Sequence, residues 1–186
     1  MKNILITGNL GYIGSVLTPK LTKKYKVTGY DTGYFEECSL IKSKKFKNFK
    51  QIYKDIRNVG IDDLKNIDQV VHLAALSNDP IGEFNPKVTY DINYKGTVKL
   101  AKASKKAGVK KFIFISSQSI YGISKNNEYL DEDKSKKNPV TAYAKSKMLS
   151  ENYLKKIKSK NFNVIFLRPS TVFGASPRLR TDIILN

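Results

Sequence analysis

The strongest constraint on this chain lies in its first fourteen residues. The apolar run Ile4-Leu5-Ile6 leads directly into Thr7-Gly8-Asn9-Leu10-Gly11-Tyr12-Ile13-Gly14. A short apolar run followed by spaced glycines reads as a strand, a tight turn and the start of a helix. In that arrangement Gly8 permits the turn, Gly11 lets the backbone approach a pyrophosphate, and Gly14 lets helix and strand pack closely. The N–H groups that open the helix then face the anion. Such a turn also occurs as a plain structural loop, so the reading needs support from elsewhere in the chain.

Support comes from Tyr143-Ala144-Lys145-Ser146-Lys147. A phenol and an ammonium four residues apart lie one above the other on a helix face. Alone, such a pair is an ordinary solvated couple. Downstream of a dinucleotide turn it points to hydride chemistry. The second strand-like run ends at Tyr30-Asp31, seventeen residues after Gly14. A carboxylate there can accept hydrogen bonds from adenosine ribose hydroxyls and repel a 2′-phosphate, which favours NAD over NADP. Asp31 also reads as a turn-former before Thr32-Gly33; its distance from the glycines puts the cofactor reading ahead.

The remaining pattern fits an α/β class. Strand-like runs recur at Asn3–Thr7, Lys26–Tyr30, Phe49–Tyr53, Gln69–Leu73, Lys111–Ser116 and Asn163–Leu167, with helical patterns at Gly11–Lys24, Pro86–Ala107 and Pro139–Lys158. Apolar runs alternating with amphipathic helices predict a doubly wound parallel sheet covered on both faces. Ser124–Lys137 reads as a loop. The chain ends inside a new apolar run, Ile183-Ile184-Leu185, after an irregular stretch. The expected organisation is a cofactor domain over 1–175 and the start of a substrate-binding region over 176–186.

Composition narrows the function classes. Cys38 is the only cysteine and His72 the only histidine, which excludes an intrachain disulfide, gives a zinc cluster no ligand set and makes His72 structural. No apolar run is long enough to span a bilayer, and strand and turn follow Met1-Lys2 at once, so a cytoplasmic enzyme without a signal peptide or a metal is expected. The net charge of +18 would attract polyanions. Its lysines are scattered over almost every segment rather than gathered with aromatic residues in a nucleic-acid motif, so nucleic acid is not the expected partner.

Further motifs identify a family. Together with the glycine turn and the Tyr/Lys pair, the chain carries Asp55-Ile56-Arg57, His72-Leu73-Ala74-Ala75, Asn93-x-x-Gly96-Thr97, Ser116-Ser117-x-x-Ile120-Tyr121-Gly122 and Arg168-Pro169. This set resembles the extended short-chain dehydrogenase/reductase family, and within it the NAD-dependent nucleotide-sugar epimerase/dehydratase group. The resemblance runs from residue 2 to about 180 and implies a Rossmann-type domain. It places Asp55 and Ile56 beside the adenine, with the Asp55 carboxylate accepting from the exocyclic amine. It places Leu73, Ala74 and Ala75 along the cofactor channel and makes Asn93 a tie between neighbouring strands. Ser117, Tyr143 and Lys147 correspond to the catalytic trio, and Pro169 to the nicotinamide side.

Two departures sharpen what the resemblance implies. Dehydratases of the group carry Asp-Glu directly after the catalytic Ser/Thr; here those positions are Gln118 and Ser119, which cannot move protons in the same way. An epimerase is therefore expected, with a dehydrogenase or reductase, or a non-catalytic NAD-binding or RNA-associated protein, as alternatives. The family also continues into a smaller lobe that holds the nucleotide-diphosphate sugar, and here that lobe is largely missing. Ser77, Asp79, Arg178 and Arg180 are candidate substrate contacts. For Asp79 an Asp-Pro turn, and for the arginines plain surface exposure, are equal alternatives. A homodimer is the expected full-length form.

Overall fold

The computed structural model describes residues 1–40, 46–77, 79–123 and 129–180, and the side chains at 79–81 lie outside that description. Six strands form one sheet: β1 (Asn3–Thr7), β2 (Lys26–Asp31), β3 (Phe49–Tyr53), β4 (Gln69–His72), β5 (Lys111–Ile115) and β6 (Asn163–Leu167). All neighbours are parallel, in the order β3-β2-β1-β4-β5-β6. That is the Rossmann order, with the direction of winding reversing between β1 and β4. Parallel strands place all their C-terminal ends on one edge, so loops distant in sequence meet there.

Alternation along β1 sends Leu5 to one face and Ile4 and Ile6 to the other. Leu5 joins a core with Val70, Phe112, Phe114 and Val164, closed by Leu100 and Leu154 from two helices, α4 (Gly96–Lys106) and α5 (Ala142–Ile157). Ile4, Ile6, Val27 and Val71 pack under Leu17 and Leu21 of α1 (Tyr12–Leu21). This second face is less fully covered than the sequence pattern predicts. Ile165 and Leu167 on the edge strand β6 remain 37% and 47% exposed.

The predicted helix over 86–107 is interrupted. α2 (Asp79–Phe84) comes before it, and α3 (Pro86–Tyr90) starts on Asn85, whose side chain accepts from the Val88 N–H, with Pro86 pre-set for the first turn. Residues Asp91–Lys95 then form one wide π-type turn before α4. A π turn inserts a residue and frees backbone groups from the ordinary ladder. The Asn93 carbonyl uses that freedom to accept from the Thr97 and Ser150 hydroxyls, at 2.5 and 3.2 Å. α5 can lie this close because small side chains, Ser146 and Ser150, line its buried face.

Candidate functional site

A cavity of about 1070 Å3 opens along the C-terminal edge of the sheet, at the point where the winding reverses. Its near end is the glycine turn. Gly8 has φ +72°, and its N–H bonds the Tyr30 carbonyl at 2.9 Å. A methyl carbon added there would sit 2.7 Å from the Ala74 nitrogen, so a side chain would drive the loops after β1 and β4 apart. At Gly14 an added carbon would overlap the Gly8 carbonyl oxygen and lie 2.6 Å from the Asn9 Cα. Gly11 caps α1 with no side-chain hydrogen bond, leaving the helix N-terminus open toward the cavity. These features fit a dinucleotide pyrophosphate.

Leu10, Tyr12 and Ile13 line the same end, and Asn9 does not. Asn9 is buried beneath the turn, where its amide donates to Gln51 Oε1 at 2.7 Å. Asp31, at the end of β2, accepts from the Leu10 and Gly33 N–H groups at 3.2 and 3.0 Å. The side chain therefore forms the turn and also lines the cavity. Asp55 and Ile56 line the wall opposite, but the Asp55 carboxylate is clasped by Arg57 through the backbone N–H at 2.8 Å and the guanidinium at 2.6 Å. That hydrogen-bonded guanidinium holds the Asp55 carboxyl below the usual aspartate range even against its partial desolvation.

Leu73, Ala74 and Ala75 form the floor. The Ala74 N–H donates to Thr7 Oγ1, which bonds His72 Nδ1 at 2.6 Å, while His72 Nε2 bonds Thr97 Oγ1 at 2.8 Å. Thr97 spends its only hydrogen on the Asn93 carbonyl, so His72 Nε2 is the donor and Nδ1 the acceptor. Burial, with the Lys147 ammonium, pushes His72 down to about 3, and the ring is neutral. Asn93 is 1% exposed and away from the cavity lining. Its side chain holds Leu76 by both N–H (2.8 Å) and carbonyl (3.0 Å) and donates to Ser146 at 3.2 Å. It therefore joins the loop after β4 to α5 rather than one strand to another.

Ser117, Tyr143 and Lys147 all line the same cavity. Thr141 caps α5 by accepting from the Ala144 N–H at 3.1 Å, which sets the register of the Tyr/Lys pair. Lys147 is 3% exposed, its Nζ donating to the Ile115 carbonyl at 2.7 Å and lying 5.6 Å from the centre of the Tyr143 ring. Burial pushes its ammonium down to about 7. The folded protein thus releases this proton before the unfolded chain does, so stability rises with pH between about 7 and the ordinary lysine value of 10.5. Lys147→Met, which keeps the stem and removes the amine, is expected to abolish that part of the rise. Urea denaturation of both proteins across the window measures it, and parallel pH curves would exclude Lys147 as its source.

Pro169 lines the cavity, and its carbonyl accepts from the Gln118 N–H at 3.1 Å. Arg178, Arg180 and Ser77 also reach the cavity. Arg178 stacks over Phe35 at 5.0 Å, and Arg180 donates to Ser77 Oγ at 3.4 Å, so neither is a bare surface charge. The Asp79 side chain, residues 124–128 of the expected loop and the run at 183–185 lie outside the described residues.

Two parts of the site escaped the sequence reading. Glu151 is fully buried on α5, bonded to Arg168 through Nε and Nη2, both at 2.8 Å, and to Lys137 at 2.9 Å. Burial opposes its ionisation, but Arg168 and Lys137 overcome that and hold it down to about 2. Arg168 also donates to the Tyr121 hydroxyl (2.7 Å) and the Glu132 carbonyl (2.8 Å), fixing a wall of the cavity. The spacing 143, 147, 151 was the available signal: a glutamate on a buried helix face requires a cation. The second part is a strap over 174–180. The Tyr12 hydroxyl donates to the Gly174 carbonyl at 2.5 Å, Ser176 Oγ donates to the Tyr12 carbonyl at 2.8 Å, and the Leu40 N–H bonds the Pro177 carbonyl at 2.8 Å.

Residues 4–185 match the NAD dependent epimerase/dehydratase family. The chain belongs to that family. It is 30% identical to mouse dTDP-D-glucose 4,6-dehydratase over 93% of its own length and 51% of the relative's, and 29% identical to rice UDP-glucose 4-epimerase 4 over 95% and 51%. Among solved structures it resembles the UDP-glucuronic acid 4-epimerase of Bacillus cereus in complex with NAD. There the TM-score is 0.80 at 30% identity, covering 97% of this chain and 59% of that one. The chain spans about half the length of the curated relatives it matches. No helix among the described residues is long and apolar enough to cross a membrane.

Proposed function

We propose that the chain is the NAD-binding half of a nucleotide-sugar epimerase, with residues 1–175 as the cofactor domain and 176–186 opening the substrate region. One observation carries this reading: a single cavity joins an uncapped, glycine-lined helix N-terminus to Ser117, Tyr143 and Lys147. NAD, when bound, supplies the site that accepts and returns a hydride. Gly8, Gly11, Gly14 and Asp31 would hold its pyrophosphate and ribose, and Ile56, Leu73 and Ala74 its adenosine side.

The protein's own part is proton transfer and orientation. A free phenol, with a pKa near 10, is a poor base at neutral pH. An ammonium beside it favours the phenolate, so the Lys147 charge activates Tyr143 to remove the proton from a sugar hydroxyl. Ser117 donates a hydrogen bond to the same oxygen as it becomes a carbonyl. Gln118 and Ser119 supply no carboxyl group for water loss, which favours epimerisation over dehydration. UDP-sugars are the first substrates to try, given the names of the relatives.

Two measurements test the reading. NAD is expected to bind at least about tenfold more tightly than NADP, a difference of about 1.4 kcal/mol; equal or tighter NADP binding removes the role given to Asp31. With UDP-glucose and UDP-glucuronic acid, the full-length protein is expected to change the isomer composition without net NADH. Stoichiometric NADH would instead favour the dehydrogenase alternative.

A further inference from the structure

The turn that follows β5 contains a hydroxyl pair whose polarity is fixed. Ser117 has an extended backbone, φ −158° and ψ 150°, and caps the single 3-10 turn Gln118–Tyr121. The turn is pinned from both sides. Ile120 is fully buried and its carbonyl accepts from the Asn138 N–H at 3.0 Å, while Gly122 leaves it at φ +75°. Within this frame Ser117 Oγ accepts twice, from the Ser119 N–H at 3.2 Å and from the Ser119 hydroxyl at 2.7 Å. A serine hydroxyl has two acceptor positions and one hydrogen. Both acceptor positions are filled, and the hydrogen has no acceptor among the described residues. Both serines line the cavity.

We infer that Ser119 is a positioning residue that makes Ser117 an obligate hydrogen-bond donor toward the reacting oxygen of a bound sugar. The inference rests on the proposed epimerase site for its function, and on the hydroxyl geometry alone for its direction. With Ser119 in place, Ser117 cannot turn to accept from a sugar hydroxyl, so its hydrogen is aimed before substrate arrives. A preset donor costs no reorganisation as carbonyl character develops on the substrate. In this role Ser119 acts on the reacting oxygen through Ser117.

Neutron diffraction from crystals of the deuterated chain reads the direction without any turnover. The expected map places the Ser119 deuteron on the line to Ser117 Oγ and the Ser117 deuteron toward the cavity. A Ser117 deuteron pointing at Ser119 Oγ overturns the inference. Kinetics on the full-length protein with UDP-glucose and UDP-glucuronic acid read the consequence. Ser119→Ala is expected to lower kcat by roughly 10- to 100-fold, somewhat less than deletion of an oxyanion donor. KM, NAD affinity and thermal stability should stay within about twofold or a few degrees, since a surface-lining hydroxyl carries little packing. Ser119→Thr should restore the rate. An Ala variant as fast as wild type, or one that loses NAD binding in parallel, also overturns it. If the wild-type protein turns over neither sugar, the epimerase reading fails while the neutron map still decides the hydroxyl direction.

Discussion

Glu151→Gln is expected to destabilise the protein by about 3–5 kcal/mol at neutral pH, because it leaves two buried cations facing a neutral amide. The side chains of Arg168 and Lys137 are only 11% and 17% exposed, so water replaces little of what the carboxylate provides. The pH dependence has a definite sign. The folded-state value, about 2, lies below the ordinary 4.5, so the contribution is complete above 4.5 and disappears as pH falls through 2. Urea denaturation across that acid window should show a loss in wild type that is absent from Glu151→Gln. Equal losses in both proteins would assign the acid sensitivity to other carboxylates. Because Arg168 also holds Tyr121 and the Glu132 carbonyl, the variant should loosen the cavity wall as well.

Gly14→Ala carries a comparable penalty by a different route. The added carbon meets backbone, the Gly8 carbonyl and the Asn9 Cα at 2.6 Å, so no side chain can rotate away to relieve it. Overpacking a tight site costs about 1–3 kcal/mol when neighbours can shift, and here the neighbours are the backbone of the glycine turn itself. The expected result is a fall in Tm together with loss of NAD binding by calorimetry. Full-strength binding in a destabilised protein would separate the turn's packing from its role as a cradle. Gly8→Ala should behave similarly, with the added strain of a positive φ.

The two buried ionisable groups of α5, Glu151 and Lys147, show how differently burial can be handled on one helix. Glu151 is compensated by two cations and contributes to stability. Lys147 has a carbonyl partner but no carboxylate against it among the described residues, and its burial lowers stability at neutral pH. Uncompensated burial of this sort is what one finds where chemistry rather than folding has set the residue.

The sheet was legible because its central strands are compact apolar runs and the others carry strand-type residues between polar or helical segments. Asn3–Thr7, Phe49–Tyr53 and Asn163–Leu167 have the bounds their residues predict, while β4 and β5 each stop one residue early. Leu73 and Ser116 are apolar or strand-like in type, but the chain turns there to build the cavity floor. The π turn at Asp91–Lys95 was not legible, since one inserted residue leaves no periodic trace. Asn93 was therefore recognised by its motif and assigned the wrong partners. The glycine turn and the Tyr/Lys pair were legible because local spacing defines them, whereas Ser117 was singled out only by the family resemblance. The strap was not legible, because nothing in Gly174–Arg180 announces a contact with residues at the other end of the chain.

That long-range contact imposes an order of events on synthesis. Tyr12 meets Gly174 and Ser176 at sequence separations of 162 and 164 residues. At 5–20 residues per second, about 10–30 s pass between translation of the turn and translation of its cover. During that interval the first half of the sheet can form, but Tyr12 lacks the partners it takes from Gly174 and Ser176. The first helix is thus made early and given these partners last, and a ribosome-bound chain arrested before residue 174 carries Tyr12 without them.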